Sequence, residues 1–200
     1  MLLDADESQL VLMDYQQRLL PAMHDGVAML ANAVRLARAA QILGVRCWGT
    51  EQNPAKLGPT DPALAPLLGK PLSKMSFSAA EQLASRLRPP VREIQGNARS
   101  IPRHLRKPAE PVPVAPAGIV LAGCEAHICV LQTALELLDD EFEVWVVTDA
   151  CASRTERNRD AAFDRLAGAG CELVTTEMVV FEWLRSAEHP EFRDVQALIK

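Results

Sequence analysis

The feature that most limits what this chain can become is a regular exchange of short, unbroken apolar runs with longer helical stretches. Residues 9–13 (QLVLM) and 45–50 (VRCWGT) have strand length, and between them Val27, Leu30, Val34 and Ala37 recur at helical spacing through the alanine-rich segment 26–43. Gly44 follows where a helix C-terminus is expected. The unit returns downstream as 118–122 (GIVLA), a helix over 126–138, 143–148 (EVWVVT), a helix over 158–167, and 171–175 (CELVT). Strands alternating with helices dictate a mostly parallel sheet, and strands without polar alternation are covered on both faces. The expectation is an α/β chain folded as a three-layer α/β/α sandwich around a Rossmann-like central sheet. At 200 residues, with neither a dividing linker nor an internal repeat, residues 1–200 are read as one domain. Segment 86–117 breaks the rhythm. It is crowded with proline, carries Arg88, Arg92, Arg99, Arg103, Arg106 and Lys107, and reads as an excursion that is either an ordered lid or a surface loop.

Charge and hydropathy then exclude several classes. Hydrophobic residues make up 48% and charged residues 24%, the balance of a soluble globular chain. With 26 acids against 21 bases the net charge is −5, and no basic run is interleaved with aromatics, so nucleic acid is not an expected partner. No apolar stretch approaches the roughly 18 to 20 residues of a membrane span, and MLLDADES is acidic where a secretory leader is basic. No membrane association and a cytoplasmic address are expected.

In open α/β sheets, ligands bind beyond the carboxyl ends of the strands, so polar residues that follow a strand are scrutinised first. Asp14 ends the first strand, Thr50, Glu51, Gln52 and Asn53 follow the second, and GCEAHIC (123–129) joins a strand to a helix. Cysteines stand at 47, 124, 129, 151 and 171, an odd count without a C-x-x-C pair, which argues against a disulfide framework or a zinc ribbon. Of these, Cys129 falls in the first turn of a helix, where unpaired backbone N–H groups and a nearby lysine favour a thiolate. Cys124 is the second candidate. His127 is two residues from Cys129, a spacing that turns the side chains apart on a helix, so a Cys-His dyad is weakly signalled. The other route to an activated thiol is a carboxylate supported by a lysine, for which Asp14 and Lys74 in LSKMSFSA are the residues to test. A helix follows that segment, with Ser76 or Ser78 as its cap.

Three segments in this order, LVLMDYQ, LSKMSFSA and VLAGCEAHICVLQTALEL, resemble the isochorismatase-like cysteine hydrolase superfamily, which includes nicotinamidases, N-carbamoylsarcosine amidohydrolases and ureidoacrylate hydrolases. The resemblance spans nearly the whole chain apart from 86–117. The tail, TDACASRTERNRDAAFDRLAGAG followed by HPEFRDVQALIK, is most similar to the branch of isochorismatase domain-containing proteins. The resemblance implies Cys129 as nucleophile, Asp14 as general base and Lys74 as supporting cation. It also implies an oxyanion hole of the Glu125 and Cys129 backbone N–H groups, a cis peptide between Cys124 and Glu125, and homo-oligomers of two or more subunits. Pocket-shaping side chains would be Tyr15, Gln16, Gln52, Asn53 and Phe77 around a small-molecule substrate. Metal-binding nicotinamidases carry an Asp-x-His pair where this chain reads Thr50-Glu51-Gln52-Asn53-Pro54, so no metal or cofactor is expected and nicotinamidase activity is disfavoured. Isochorismate ether hydrolysis is disfavoured as well, because that reaction in the family proceeds without the cysteine.

The leading expectation is a metal-independent cysteine hydrolase that cleaves a C–N bond of a small amide or carbamoyl-like substrate through a thioester. A non-catalytic ligand-binding or interaction protein on the same fold is the alternative, motivated by Glu125, whose charge opposes a neighbouring thiolate unless it is paired. A third reading makes Cys129 a peroxide-sensing thiol with Cys124 as its resolving partner. The apolar helices over 178–185 and 192–199 are either a packed terminus or a subunit interface.

Overall fold

A computed structural model describes residues 2–88 and 118–200, so the expected excursion lies almost entirely outside the described residues. The strands β1 (Ser8–Met13), β2 (Arg46–Gln52), β3 (Leu72–Lys74), β4 (Gly118–Gly123), β5 (Glu143–Val147) and β6 (Glu172–Val174) form one sheet. Its order is β3-β2-β1-β4-β5-β6, with every pairing parallel. Every residue of β1 and of β4 is buried, which explains their unbroken apolar runs: neither face of the central pair meets water.

Seven α-helices surround the sheet among the described residues: α1 (Gly26–Leu43), the short α2 (Pro54–Leu57), α3 (Ala80–Leu87), α4 (Leu131–Asp139), α5 (Glu156–Ala169), α6 (Thr176–Leu184) and α7 (Phe192–Ile199). Contacts of α1 with α6 and α7, and of α4 with α3 and α5, gather them into two groups. Local chemistry sets the boundaries. Gly44 ends α1 in the left-handed conformation at φ 74°, and the Thr155 and Thr175 hydroxyls accept from the Asn158 and Met178 N–H groups to cap α5 and α6. No helix among the described residues is long and apolar enough to cross a membrane.

Two local expectations change. The buried stripe of α1 is Met29, Ala33, Leu36, Ala37 and Ala40, whereas Val27 is 86% exposed. Alanines let the helix sit close to the sheet, and that close packing, not the larger aliphatics, decides which face turns inward. The second change concerns Lys74, which ends a strand. LSK contains no apolar run that would announce β3, and its strand character comes from pairing Thr50 with Leu72 and Gln52 with Lys74.

This strand order has its switch point at β1, which pairs with β2 on one side and β4 on the other. Connections leave the two central strands in opposite directions there, opening a crevice beyond their carboxyl ends. Gly123 makes the close approach possible. A β-carbon at this position would lie 2.6 Å from both the Met13 Cβ and the Met13 carbonyl oxygen, inside the paired register Met13 with Gly123. Gly123→Ala must push β1 and β4 apart and is expected to destabilise the fold by about 1–3 kcal/mol. Thermal unfolding followed by circular dichroism should show a midpoint lowered by about 3–10 °C.

Candidate active site

Three strand ends and one helical turn converge on the crevice. Asp14, the first residue after β1, adopts a left-handed backbone at φ 57°, and its N–H donates to the Thr50 carbonyl at 3.1 Å. Its side chain is sealed from solvent. Oδ1 accepts from Thr50 Oγ1 at 2.8 Å, and Oδ2 lies 2.8 Å from Lys74 Nζ, whose side chain is equally sealed. The lysine ammonium also donates to Gln52 Oε1 at 2.7 Å and to the Phe77 carbonyl at 2.9 Å. With the Ser76 carbonyl at 3.4 Å, one charged and three neutral oxygens surround it, the condition under which a buried ion pair is tolerated.

Cys129 occupies a π-helical turn, Ala126–Val130, in which the Leu131 N–H reaches back five residues to the Ala126 carbonyl before α4 begins. The side chain is buried and lies within electrostatic reach of both Asp14 and Lys74. Burial, reinforced by the Asp14 carboxylate, pushes the thiol up to about 12, and the opposing Lys74 charge does not overcome them. The direction is opposite to the expectation of a thiolate favoured by a helix terminus and a lysine, because burial and Asp14 both raise the thiol while Lys74 lowers it less. Acidity does not single out this cysteine, since burial also pushes Cys47 and Cys151 up to about 12. What distinguishes Cys129 is that a carboxylate, Asp14, and an ammonium, Lys74, both act on its thiol.

The remaining expected residues take different places. Gln52 touches the cluster through Lys74 and anchors its amide on the Met75 carbonyl at 2.9 Å. Asn53 ends the β2 loop at φ 38° and is partly exposed, while Phe77 exposes its ring and lends its carbonyl to Lys74. Tyr15 and Gln16 have their polar groups committed inside the fold. The Tyr15 hydroxyl donates to the Ala150 carbonyl, and the Gln16 side chain brackets Gln52 and Gly58 through their backbone. Both act as loop anchors, because burial required each polar group to find an internal partner.

The Cys124–Glu125 peptide is not cis. Among the described residues no cis bond occurs, and the loop turns through a left-handed Glu125 at φ 57° with a trans peptide. The Glu125 carboxylate is paired with Arg154 Nε at 3.0 Å and lies 3.6 Å from His127 Nδ1, which meets the condition under which its charge is neutralised. His127 faces Ser153 Oγ at 2.9 Å and Asn158 Nδ2 at 3.4 Å, so its ring serves the neighbouring loop and forms no dyad with Cys129. All five cysteines are free thiols, and Cys124, the proposed resolver, is fully buried. Among the described residues no group of three or more His, Cys, Asp or Glu side chains is arranged to hold a metal, and Glu51 accepts from both the N–H and the hydroxyl of Thr60 at 2.8 Å.

Sequence reasoning missed several supporting residues. Thr50 orients Asp14, Arg154 holds Glu125, and Ser78 with Thr133 ties the Lys74 loop to α4: Ser78 Oγ donates to Glu136 Oε2, and Thr133 Oγ1 accepts from the Ala79 N–H at 2.9 Å. Thr50 and Ser78 carried partial signals, the first by its place at the carboxyl end of a strand and the second by its place before a helix. The others meet their partners across elements.

The isochorismatase domain model matches residues 115–178. Isochorismatase domain-containing protein 2A of Mus musculus is 32% identical over 195 residues, covering 98% of this chain and 84% of its own. Isochorismatase domain-containing protein 2 of Xenopus laevis is 36% identical over 192 residues, covering 96% and 83% respectively. Among solved structures, that of MAR1 ribonuclease from Caenorhabditis elegans superposes with a TM-score of 0.80 at 28% identity, covering 100% of this chain and 92% of the other. The Escherichia coli YcaC gene product, described as an octameric hydrolase of unknown specificity, shares the fold with a TM-score of 0.75 at 20% identity, covering 98% and 95%. With close to a third of its residues identical to those of these curated relatives across nearly its whole length, the chain belongs to the isochorismatase domain family.

Proposed function

We propose that this protein is a metal-independent cysteine hydrolase that cleaves a C–N bond in a small amide or carbamoyl-like substrate. The observation that carries the proposal is the buried thiol of Cys129 within electrostatic reach of Asp14, a carboxylate fixed by Lys74 Nζ at 2.8 Å. The resting nucleophile is a thiol, so its proton must leave during attack. Asp14 accepts that proton as the sulfur adds to the substrate carbonyl, and the Glu125 and Cys129 backbone N–H groups would hold the developing oxyanion. Two other amides of the loop have partners already: Ala126 donates to the Ala152 carbonyl and Ile128 to that of Glu125, both at 2.9 Å. Asp14 then gives its proton to the departing nitrogen, the C–N bond breaks and a thioester remains. Water, deprotonated by the same carboxylate, resolves the thioester, and the proton returns to sulfur. Lys74 keeps a positive charge beside whichever group is negative at each step.

A ribonuclease name on a relative at 28% identity does not redirect this reading. The chain is acidic, with a pI near 5.4, and the buried lysine at the crevice is already engaged by Asp14. We also infer a homo-oligomer, supported by Met178 and Phe181, which α6 leaves exposed, and by the octameric description of one fold neighbour. Sedimentation equilibrium should give a mass that is a multiple of 21.9 kDa.

Against a panel of small amides and carbamoyl compounds, wild-type protein should release amine or ammonia and show an acyl adduct on Cys129 by mass spectrometry. Cys129→Ala should lower turnover by about a thousandfold or more. Intact, folded protein with neither turnover nor adduct would instead support the ligand-binding alternative.

Iodoacetamide labelling separates the two charged neighbours without any substrate. Because the thiol stands at about 12, wild-type Cys129 should label slowly at neutral pH and faster as pH rises. Asp14→Asn removes a charge that disfavours the thiolate, and should move the profile to lower pH even while abolishing turnover. Lys74→Ala should move it to higher pH. Shifts of the same sign in both variants would contradict the electrostatics described above.

A further inference from the structure

The nucleophile loop is held along one side by the chain that follows β5. Ala152 donates its N–H to the Gly123 carbonyl at 3.3 Å and accepts from the Ala126 N–H at 2.9 Å. Cys124 donates to the Met13 carbonyl at 3.1 Å, and the Glu125 carbonyl accepts from the Ile128 N–H at 2.9 Å. The peptides joining 123 to 124 and 125 to 126 are thus each fixed at both ends. Between them lies the peptide that carries the Glu125 N–H, whose direction is set by the backbone rotation at Glu125. That rotation, φ 57°, belongs to a region that residues with a side chain avoid, so something must hold it. The Glu125 side chain is the restraint available: its Oε1 lies 3.0 Å from Arg154 Nε, and its buried Oε2 takes no hydrogen bond among the described residues.

Building on the function proposed above, we propose that Arg154 is a positioning residue that keeps the Glu125 backbone N–H directed at the oxyanion site. Arg154 reaches the loop from outside, its side chain 58% exposed and the carboxylate it pairs with buried. Without it, the Glu125 carboxylate keeps only His127 Nδ1, 3.6 Å from Oε2, and the backbone is free to relax to negative φ. The peptide between 124 and 125 then turns over, carrying the N–H away from the crevice, while the sulfur and its two charged neighbours stay in place.

The test compares two reactions of the same thiol. Alkylation by iodoacetamide needs no oxyanion donor. Addition to propionaldehyde does: a sulfur–carbon bond forms, the carbonyl π bond breaks, and the thiol proton passes to the former carbonyl oxygen with no oxidation. Protection of Cys129 from iodoacetamide by increasing propionaldehyde gives the dissociation constant of the adduct. Arg154→Ala, which unpairs Glu125 beside the thiol, should slow the unprotected labelling by no more than about threefold but raise that constant about tenfold. Arg154→Lys, which retains the charge, should restore it to within about threefold. If Arg154→Ala fails to fold by circular dichroism, the isosteric Glu125→Gln should raise the constant in the same direction. Wild-type protection in Arg154→Ala, or an equal loss in both reactions, would overturn the positioning role. Absence of protection in the wild type would instead overturn the hydrolase reading, and this inference with it.

Discussion

A carboxylate and an ammonium, both without solvent-exposed side-chain surface, meet at 2.8 Å beyond the ends of two strands that are not neighbours in the sheet. Neither charge would be tolerated there alone, because removing an ion from water costs several kcal/mol even after the protein relaxes. The surroundings answer that demand. Thr50 donates to Asp14, while Gln52 and the Phe77 carbonyl accept from Lys74. The fit of β2 between β1 and β3, the shape of the loop over 75–77 and the orientation of Gln52 all follow from completing the coordination of this pair.

The thiol beside the pair is buried and weakly acidic, which separates two properties often treated as one. A site that keeps its cysteine protonated is shielded from indiscriminate electrophiles and depends on a base that acts at the moment of attack. The π-helical turn suits this arrangement. By widening one turn before α4, it lets Cys129 reach two side chains delivered from β1 and β3 while the helix beyond it packs regularly against α3 and α5.

Much of the fold was legible in the sequence because its central strands are buried on both faces and therefore appear as unbroken apolar runs. QLVLM and GIVLA became β1 and β4, and 26–43 became α1 with its glycine stop. β3 was not legible. At the sheet edge, three residues with a polar centre become a strand through their pairing partner, a dependence that no local pattern carries. Among the site residues, Asp14, Lys74 and Cys129 are brought together as expected from their places after or near strand ends. The sign of the thiol shift was illegible, because it depends on how completely the folded chain excludes water. The internal partners of Tyr15 and Gln16 were illegible for a related reason: adjacency to Asp14 in sequence says nothing of which way a buried side chain turns. Arg154 pairs with Glu125 from 29 residues away, a contact that exists only once β5 lies beside β4.

The brevity of β3 ties the electrostatics of the crevice to motion at the margin of the sheet. An edge strand of three residues is held by few ladder bonds and belongs to the part of a fold that opens most readily. Fraying there would draw Lys74 away, leave Asp14 without its counter-charge and make the neighbouring thiol still harder to ionise. The bonds from Ser78 and Ala79 to α4 lie shortly beyond this strand and tie the segment that follows it to the helix. Residues that hold this edge closed therefore bear on the charge around the Cys129 thiol without touching it, a distant lever on a chemical property that the local side chains alone would not reveal.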